Sequence, residues 1–137
     1  MARRRLQRTN SPQQGGALLF AYGTLMRGHP LHRVLARRST LIARGTVRGA
    51  LLDLGRYPGL VDGRGRVSGE LYRLDRLDEV ELLGTLDREE GYHFRRSRGV
   101  VTLARGRRVR AWVYRYRGPR ARAVAIPREH DRRVRWR

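Results

Sequence analysis

Two short segments of this sequence combine residue types that could bind and activate a small molecule. The first is YGTLMRG at residues 22–28, which follows an apolar run at 17–22. A glycine at the carboxyl end of a strand lets a ligand approach the backbone, and the N–H groups that follow it can hold a carboxylate or carbonyl oxygen. Gly23 therefore indicates either a binding loop or a turn that needs glycine for its geometry alone. The phosphate-loop patterns GxxxxGK(S/T) and GxGxxG are absent, which argues against a nucleotide site of those kinds.

The second segment is LDREEGY at residues 86–92, which places two adjacent carboxylates, Glu89 and Glu90, at the end of a predicted helix. The helix dipole disfavours negative charge at the carboxyl end by roughly 0.3–1 kcal/mol, so another interaction must favour these residues. They are either solvated and paired with nearby arginines, or one of them projects into a cleft as a partly desolvated general base. The residue types alone leave both interpretations open.

Hydrophobic periodicity and turn residues predict the elements that must position these segments. The predicted order is β-α-β-β-α-β-β in one α+β domain: a strand at 17–22, a helix from Pro30, strands at 39–54 and 67–74, a helix from Asp75 to Gly91, and strands at 99–104 and 109–116. Because strands dominate, a curved sheet or small barrel carrying two helices is the expected architecture. The strand at 109–116 is apolar or aromatic on both faces, which predicts a central position.

Several local details belong to this prediction. Gly45 and Gly49 are expected to mark bulges or bends in the second strand, and the segment 55–65 is expected to form turns because it contains Tyr-Pro-Gly and Asp-Gly. Asp75 is the expected N-cap of the second helix. The predicted buried stripe of that helix consists of Leu77, Val80, Leu82, Leu83 and Leu86.

The chain resembles the gamma-glutamylcyclotransferase-like family through five strings in register. They are YGTLMRG after the first strand, YPGL at 57–60, VSGELYRL at 67–74, LDREEGY at 86–92 and AWVYRY at 111–116. The resemblance covers about residues 18–118. It implies a small mixed β-barrel with two main flanking helices, and a cleft where the YGTL loop faces the LDREEGY segment.

The resemblance also implies an activity. It predicts an enzyme that cyclises a gamma-glutamyl amine or amide to 5-oxoproline and releases the amine, without a metal or a cofactor. Glu90, the glutamate of the EG pair, is then the catalytic base. The gamma-glutamyl group is held, largely by backbone N–H groups, at Tyr22, Gly23, Thr24 and Leu25. Because the substrate's own α-amine is the nucleophile, the lack of Cys and of a Ser/His pair is expected.

One departure from the family pattern concerns the residues after the EGY string. Phe94 stands where the family usually has a tyrosine, and the segment 92–96 is shortened. If that missing hydroxyl binds substrate, activity or specificity has shifted. Two alternatives of other classes therefore stay open: a catalytically silent small-molecule binding module of the same fold, and a basic polyanion-binding protein.

Composition limits the remaining possibilities. The 137 residues include no Cys and four His, which excludes disulfides, thiolate zinc sites and iron–sulfur clusters. The net charge is +20 because the chain has 32 basic residues, all of them Arg, and only 12 acidic residues. This excess is spread along the chain, so we expect only non-specific affinity for nucleic acid.

We divide the chain into a basic disordered tail at 1–16, the family-like domain at 17–119 and a basic C-terminal segment at 120–137. The early apolar run is too short for a signal sequence or a membrane span. The expected protein is cytoplasmic, has no membrane contact and takes a small gamma-glutamyl substrate as its partner. The sequence makes no prediction of oligomeric state.

Overall fold

The computed structural model describes residues 16–23, 32–55, 57–120, 124–125 and 133–134. Its strands are β1 (Leu18–Ala21), β2 (Ser39–Asp53), β3 (Pro58–Leu74), β4 (Phe94–Thr102), β5 (Arg108–Tyr116), β6 (Val124–Ala125) and β7 (Arg133–Val134). Its helices are α1 (His32–Ala36) and α2 (Glu79–Glu90), and a 3-10 turn spans Ala104–Gly106. The predicted order is therefore confirmed through β5. The tail at 1–15, with Thr24, Leu25 and Pro30, lies outside the described residues.

Five of these strands close into a barrel. The order β2-β4-β5-β1-β3 is completed by a long antiparallel pairing of β3 with β2. Strand β1 runs parallel to β5 and antiparallel to β3, so the barrel is mixed. The barrel predicted from the resemblance is confirmed, and β5 occupies the central position predicted for it. Of the two flanking helices, α2 is the main one, with 12 residues against the five of α1.

The interior of the barrel is filled by alternate residues of its strands. The buried set includes Phe20, Tyr22, Val47, Leu51, Leu60, Val67, Leu71, Val101, Ala111 and Val113. Because side chains alternate between the two faces of a strand, the intervening residues point outward. On β1 and on the second half of β5, from Trp112 to Tyr116, those outward residues are apolar or aromatic as well, and α2 packs against Leu19 and Tyr114.

Helix α2 packs on the outside of β1 and β5 through one apolar face. Leu82 and Leu86 are buried against Leu19 and Tyr114 in a second cluster. The predicted stripe is thus correct from position 82 onward and wrong for its first two members. Leu77 is 99% exposed because the helix begins only at Glu79, with Asp78 rather than Asp75 as N-cap, whereas Val80 is 85% exposed because it lies on the outer side of the first helical turn. Its end at Gly91 is as predicted.

The turn predicted at 55–65 is only partly correct. Strand β3 already begins at Pro58, and Asp62 and Gly63 lie within it. The turn residues instead form an irregularity, since the pairing between β2 and β3 shifts register between Arg48 and Ala50. Gly49 lies at that shift, which confirms the predicted bulge.

Gly45 is not a bulge. It pairs in register with Gly69, and the other register shift of β2 lies between Leu41 and Ala43. The reason for a glycine at position 45 is space, because a Cβ there would lie 2.7 Å from a methyl group of Val101.

The C-terminal segment contributes two short strands to the sheet. β6 pairs with the end of β2, and β7 runs parallel to β3 beside Arg66 and Val67. Strand β4 begins at Phe94, five residues earlier than predicted, directly after the turn that follows α2. None of the described helices has the length and hydrophobicity to cross a membrane.

Candidate active site

Tyr22 and Gly23 lie at one end of the barrel, directly after β1. Tyr22 is buried, and its hydroxyl donates a hydrogen bond to the carbonyl oxygen of Tyr114 on β5. The same hydroxyl accepts one from the N–H of Leu60 on β3, at 3.0 Å. Burial raises the pKa of Tyr22 far above its usual value, so the phenol stays protonated. Tyr22 therefore ties three strands together at this end of the barrel.

Gly23 occupies a conformation that other residues rarely adopt. Its φ angle is +64°, and a Cβ at this position would lie 2.6 Å from Cγ of Pro58. Both the backbone geometry and the close approach of the proline ring therefore require glycine. The next two predicted binding residues, Thr24 and Leu25, lie outside the described part of the chain.

Glu90 is the last residue of α2 and lies on the face that packs against the barrel. It follows Leu86 by four residues, so it continues the buried stripe, whereas Glu89 is exposed. The Glu90 side chain is partly buried, and burial raises its pKa from 4.5 to about 7. Among the described residues it makes no ion pair with any arginine. Helical spacing from Leu86 is a sequence signal that distinguishes Glu90 from its neighbour.

The structure brings Glu90 and Tyr22 to the same end of the barrel. Burial is the main reason why the pKa of Tyr22 is raised, and the charge of Glu90 adds to it. The pKa of Tyr114 is raised by burial and by Asp87, and again Glu90 contributes. A carboxylate acts on both phenols only if it lies close to them. Two of the segments expected to face each other are therefore neighbours.

Asp87, Arg96 and Tyr114 form a hydrogen-bonded group that sequence reasoning missed. The Arg96 guanidinium donates to both carboxylate oxygens of Asp87, from Nε at 3.0 Å and from Nη2 at 3.2 Å. The Tyr114 hydroxyl donates to Asp87 Oδ1 at 2.6 Å. These bonds fasten the last turn of α2 to β4 and β5, one turn before Glu90. Nothing in the sequence singles out Arg96 among 32 arginines.

The charge of Asp87 is stabilised despite partial burial. Burial alone would raise its pKa, but the hydrogen bonds from Arg96 and Tyr114 outweigh that effect and lower it. A carboxyl whose folded pKa is depressed stabilises the fold above its unfolded pKa of 3.8, and this contribution is lost as the pH falls through the folded pKa.

Replacing Asp87 with asparagine is expected to lower the free energy of unfolding by about 1 kcal/mol at pH 7, a modest value because the carboxylate is 42% exposed. Thermal unfolding at pH 7 and pH 2 measures the effect, which should shrink at the lower pH. Glu81→Gln, which removes the more exposed ion pair with Arg38, is the matched control and should cost less. An Asp87→Asn variant as stable as the parent at pH 7 would contradict this role.

A second group that sequence reasoning missed is centred on Glu70. This residue is 1% exposed on β3, directly opposite Ala21, which precedes Tyr22. Its Oε1 accepts a hydrogen bond from Tyr72 at 2.9 Å, and its Oε2 lies 3.9 Å from Arg44 Nη2. Strand periodicity does not predict that the glutamate in VSGELYRL is buried, because charged residues are almost never fully buried unless they are paired.

Phe94 belongs to an aromatic cluster near the site. Its ring meets that of Tyr57 at 5.7 Å and that of Tyr116 at 5.4 Å, both in edge-on geometry. Such edge-on pairs are favourable beyond their buried area. In this chain the position therefore provides packing where the family usually has a tyrosine.

The described residues contain no group of His, Asp and Glu side chains arranged to hold a metal ion. This end of the barrel holds a carboxyl with a pKa near neutrality and a glycine turn. That set suits proton transfer to and from a bound molecule.

Comparison with known proteins places this chain in a family. Residues 19–136 match the model of the family described as "Gamma-glutamyl cyclotransferase, AIG2-like". A Vibrio cholerae protein bearing a provisional gamma-glutamylcyclotransferase name is 37% identical over 101 residues, which cover 72% of this chain and 81% of that protein. The gamma-L-glutamyl-butirosin B gamma-glutamyl cyclotransferase of Niallia circulans is 38% identical over 69 residues, or 46% of this chain and 44% of that protein.

A solved structure agrees with these matches. The crystal structure of an AIG2-like protein from Mus musculus superposes with a TM-score of 0.61 at 29% sequence identity, covering 73% of this chain and 76% of the mouse chain. The barrel and the match over most of the sequence lead to one conclusion: this chain belongs to the AIG2-like gamma-glutamyl cyclotransferase family.

Proposed function

We propose that this protein is a cofactor-independent cyclotransferase that converts a gamma-glutamyl amine or amide into 5-oxoproline and the free amine, with Glu90 as general base. The observation that carries the proposal is the Glu90 carboxyl, partly buried beside Tyr22 with a pKa of about 7. Family membership supports the gamma-glutamyl part of the substrate. In this mechanism the substrate binds at the turn formed by Gly23 and the residues that follow it, Thr24 and Leu25.

The reaction follows from what the substrate already contains. Its α-ammonium loses a proton to the ionised Glu90, and the amine nitrogen attacks the side-chain carbonyl carbon to close a five-membered ring. The carbonyl oxygen becomes an oxyanion, which backbone N–H groups at the glycine turn would stabilise. Glu90 then returns the proton to the leaving nitrogen as the carbon–nitrogen bond breaks. The ring nitrogen, which still carries one hydrogen too many, gives up its second proton through the same carboxylate to the departing amine, which leaves as an ammonium ion. No water is consumed, and the protein supplies no nucleophile.

The pKa of Glu90 suits both halves of this cycle. A carboxyl with its usual pKa is a weak base at neutral pH, whereas one near 7 accepts and returns a proton with similar ease. Holding the substrate in its cyclising conformation can contribute a further 7–11 kcal/mol or so toward the barrier. Substrate positioning and one general base are therefore suited to this chemistry.

Incubation with a panel of gamma-glutamyl amines and amides, followed by detection of 5-oxoproline, tests the proposal. We expect stoichiometric 5-oxoproline and amine. In water enriched in oxygen-18, the product should carry no label, since a hydrolase would instead release labelled glutamate. Stabilisation against heat by these compounds without any product would favour the silent binding module, and labelled glutamate would exclude cyclisation.

The proposed base also predicts the pH dependence of catalysis. Because only the ionised carboxylate accepts a proton, kcat/KM should rise about tenfold per pH unit below pH 7 and level off above it. Initial rates between pH 5 and pH 9 under subsaturating substrate measure this profile. A plateau that extends down to pH 5 would contradict a base with a pKa near 7.

A further inference from the structure

One arginine lies on the inner face of the barrel at the same end as Glu90. Ala111 and Val113 are buried inside the barrel, and strand alternation places Arg115 next on that face. Arg115 is partly buried. It therefore lies on the inner face near the end of β5, unlike Arg108 and Arg110, which are exposed on the outer face.

The contacts of Arg115 show how its guanidinium is held. Its Nε donates a hydrogen bond to Ser97 Oγ at 3.3 Å. A Cβ on Gly99 would lie 3.2 Å from Arg115 Nη2, so the guanidinium lies across Gly99 along the inner wall. Ser97 and Gly99 thus hold Arg115 inside the barrel rather than in solvent.

The charge of Arg115 has no counterpart among the described residues. No carboxylate of those residues lies within ion-pair distance of it, although guanidinium groups that leave water are normally paired. Its cross-strand neighbour on β4 is another arginine, Arg95, which is exposed and on the same face. Like charges directly opposite one another are unfavourable in a sheet. Two cations facing each other at the rim therefore call for an anion between or beside them.

Arg115 lies beside Tyr22, at the same end of the barrel as the proposed catalytic group. Strands β1 and β5 run parallel with Leu19 opposite Trp112, and three residues further along each strand lie Tyr22 and Arg115. Beyond the main effect of burial on the pKa of Tyr22, the charge of Glu90 raises it and that of Arg115 lowers it. Both charges thus act on the same phenol from the same end of the barrel.

We propose that Arg115, assisted by Arg95 at the rim, binds a carboxylate on the amine half of the substrate and makes the protein selective for gamma-glutamyl amino acids. This inference rests on the proposed function, in which backbone N–H groups after Gly23 bind the glutamyl half. A guanidinium binds carboxylates through two parallel hydrogen bonds, and an arginine keeps its charge at every pH of interest. A second acidic group on the substrate supplies an anion for Arg115 and Arg95, which none of the described carboxylates provides.

The test compares gamma-glutamyl-alanine with gamma-glutamyl-ethylamine, which differ only by the carboxylate. The parent protein should have the lower KM for the alanine compound. Arg115→Met should raise that KM about 10- to 100-fold and leave the KM for the ethylamine compound nearly unchanged. Arg110→Met removes the same charge from the outer face of β5 and should alter neither value. Arg115→Gln, which keeps a donor for Ser97, should behave like Arg115→Met.

Three outcomes separate this inference from the proposed function. If both substrates yield 5-oxoproline but Arg115→Met raises both KM values equally, or neither, the selectivity role is wrong and the cyclotransferase assignment stands. If the parent protein forms no 5-oxoproline from either compound, the proposed function fails for these substrates and this inference fails with it. Because Arg115 has no ion pair with any described carboxylate, Arg115→Met should melt no lower than the parent without substrate. A large loss of stability would also contradict the role.

Discussion

Glu90→Gln is expected to abolish most 5-oxoproline formation while making the protein more stable. Glutamine has nearly the shape of glutamate and can hold its place at the end of α2, but it cannot accept the proton of an ammonium group. A positioned base contributes roughly 10²- to 10⁴-fold to rate, so kcat should fall by that amount. Because KM reflects contacts elsewhere, we expect it to change little.

The expected gain in stability follows from the pKa of Glu90. The folded protein holds a proton on this carboxyl up to about pH 7, whereas the unfolded chain releases it near pH 4.5. A carboxyl with a raised folded pKa favours the fold at low pH and progressively less as the pH rises through that window. At pH 8 the ionised Glu90 therefore lowers the free energy of unfolding by about 3 kcal/mol. Glutamine carries no such cost.

Activity and thermal unfolding at pH 8 measure both effects on the same preparation, and Glu89→Gln is the matched control. Glu89 precedes Glu90 on α2 and is exposed, so its replacement should leave rate and melting temperature close to those of the parent. A rise of several degrees in the melting temperature of Glu90→Gln, with loss of turnover, is the expected signature of a destabilising catalytic group. Full activity of that variant would remove the basis of the mechanism.

The sequence predicts both α2 and the orientation of Glu90 on it, because one periodicity governs both. Leu82, Leu86 and Glu90 follow each other at four-residue intervals, so a helix that buries the first two must turn the third toward the barrel. The first residues of the buried stripe of α2 are predicted less well. Leu77 fits the apolar pattern but is exposed, since the helix begins after it and the pattern does not fix where a helix starts.

Pairings between distant segments are the part that the sequence does not predict. The bonds of Asp87 to Arg96 and Tyr114 join α2 to two strands. The sequence does not show which of its many arginines pairs with Asp87. The irregular pairing opposite Gly49 has a similar cause. Asp-Gly is typical of turns, and only the partner strand decides whether that local bend ends a strand or interrupts it. Both features depend on which segments meet in the folded chain.

Gly23 shows the opposite case, in which one residue type is dictated by both local and distant contacts. Its φ angle of +64° costs an alanine about 1–2 kcal/mol relative to glycine. The added methyl group would also lie 2.6 Å from Cγ and 2.9 Å from Cδ of Pro58, which are atoms of a stiff ring. Such overpacking typically costs a further 1–3 kcal/mol or so. The backbone must shift to relieve it, and with it the chain that continues into Thr24 and Leu25.

Gly23→Ala is therefore expected to lower the free energy of unfolding by about 2–5 kcal/mol and kcat/KM by about 10²-fold. The loss of activity should exceed what unfolding explains, because a displacement of about 1 Å in a positioning element can cost 10²-fold in rate. Denaturant unfolding and initial rates, measured at a temperature where the variant is folded, determine both quantities.

Gly106→Ala provides the matched control. Gly106 has a φ angle of +76°, and a Cβ there would meet no atom within 4 Å, so this variant bears the backbone cost without the clash. It lies in the turn before β5, and its replacement should cost about 1–2 kcal/mol of stability and no activity. Because the two variants share the φ penalty, their difference isolates the contact with Pro58. If Gly23→Ala were as active and as stable as Gly106→Ala, the close approach of the proline ring would have no role in holding the turn for substrate.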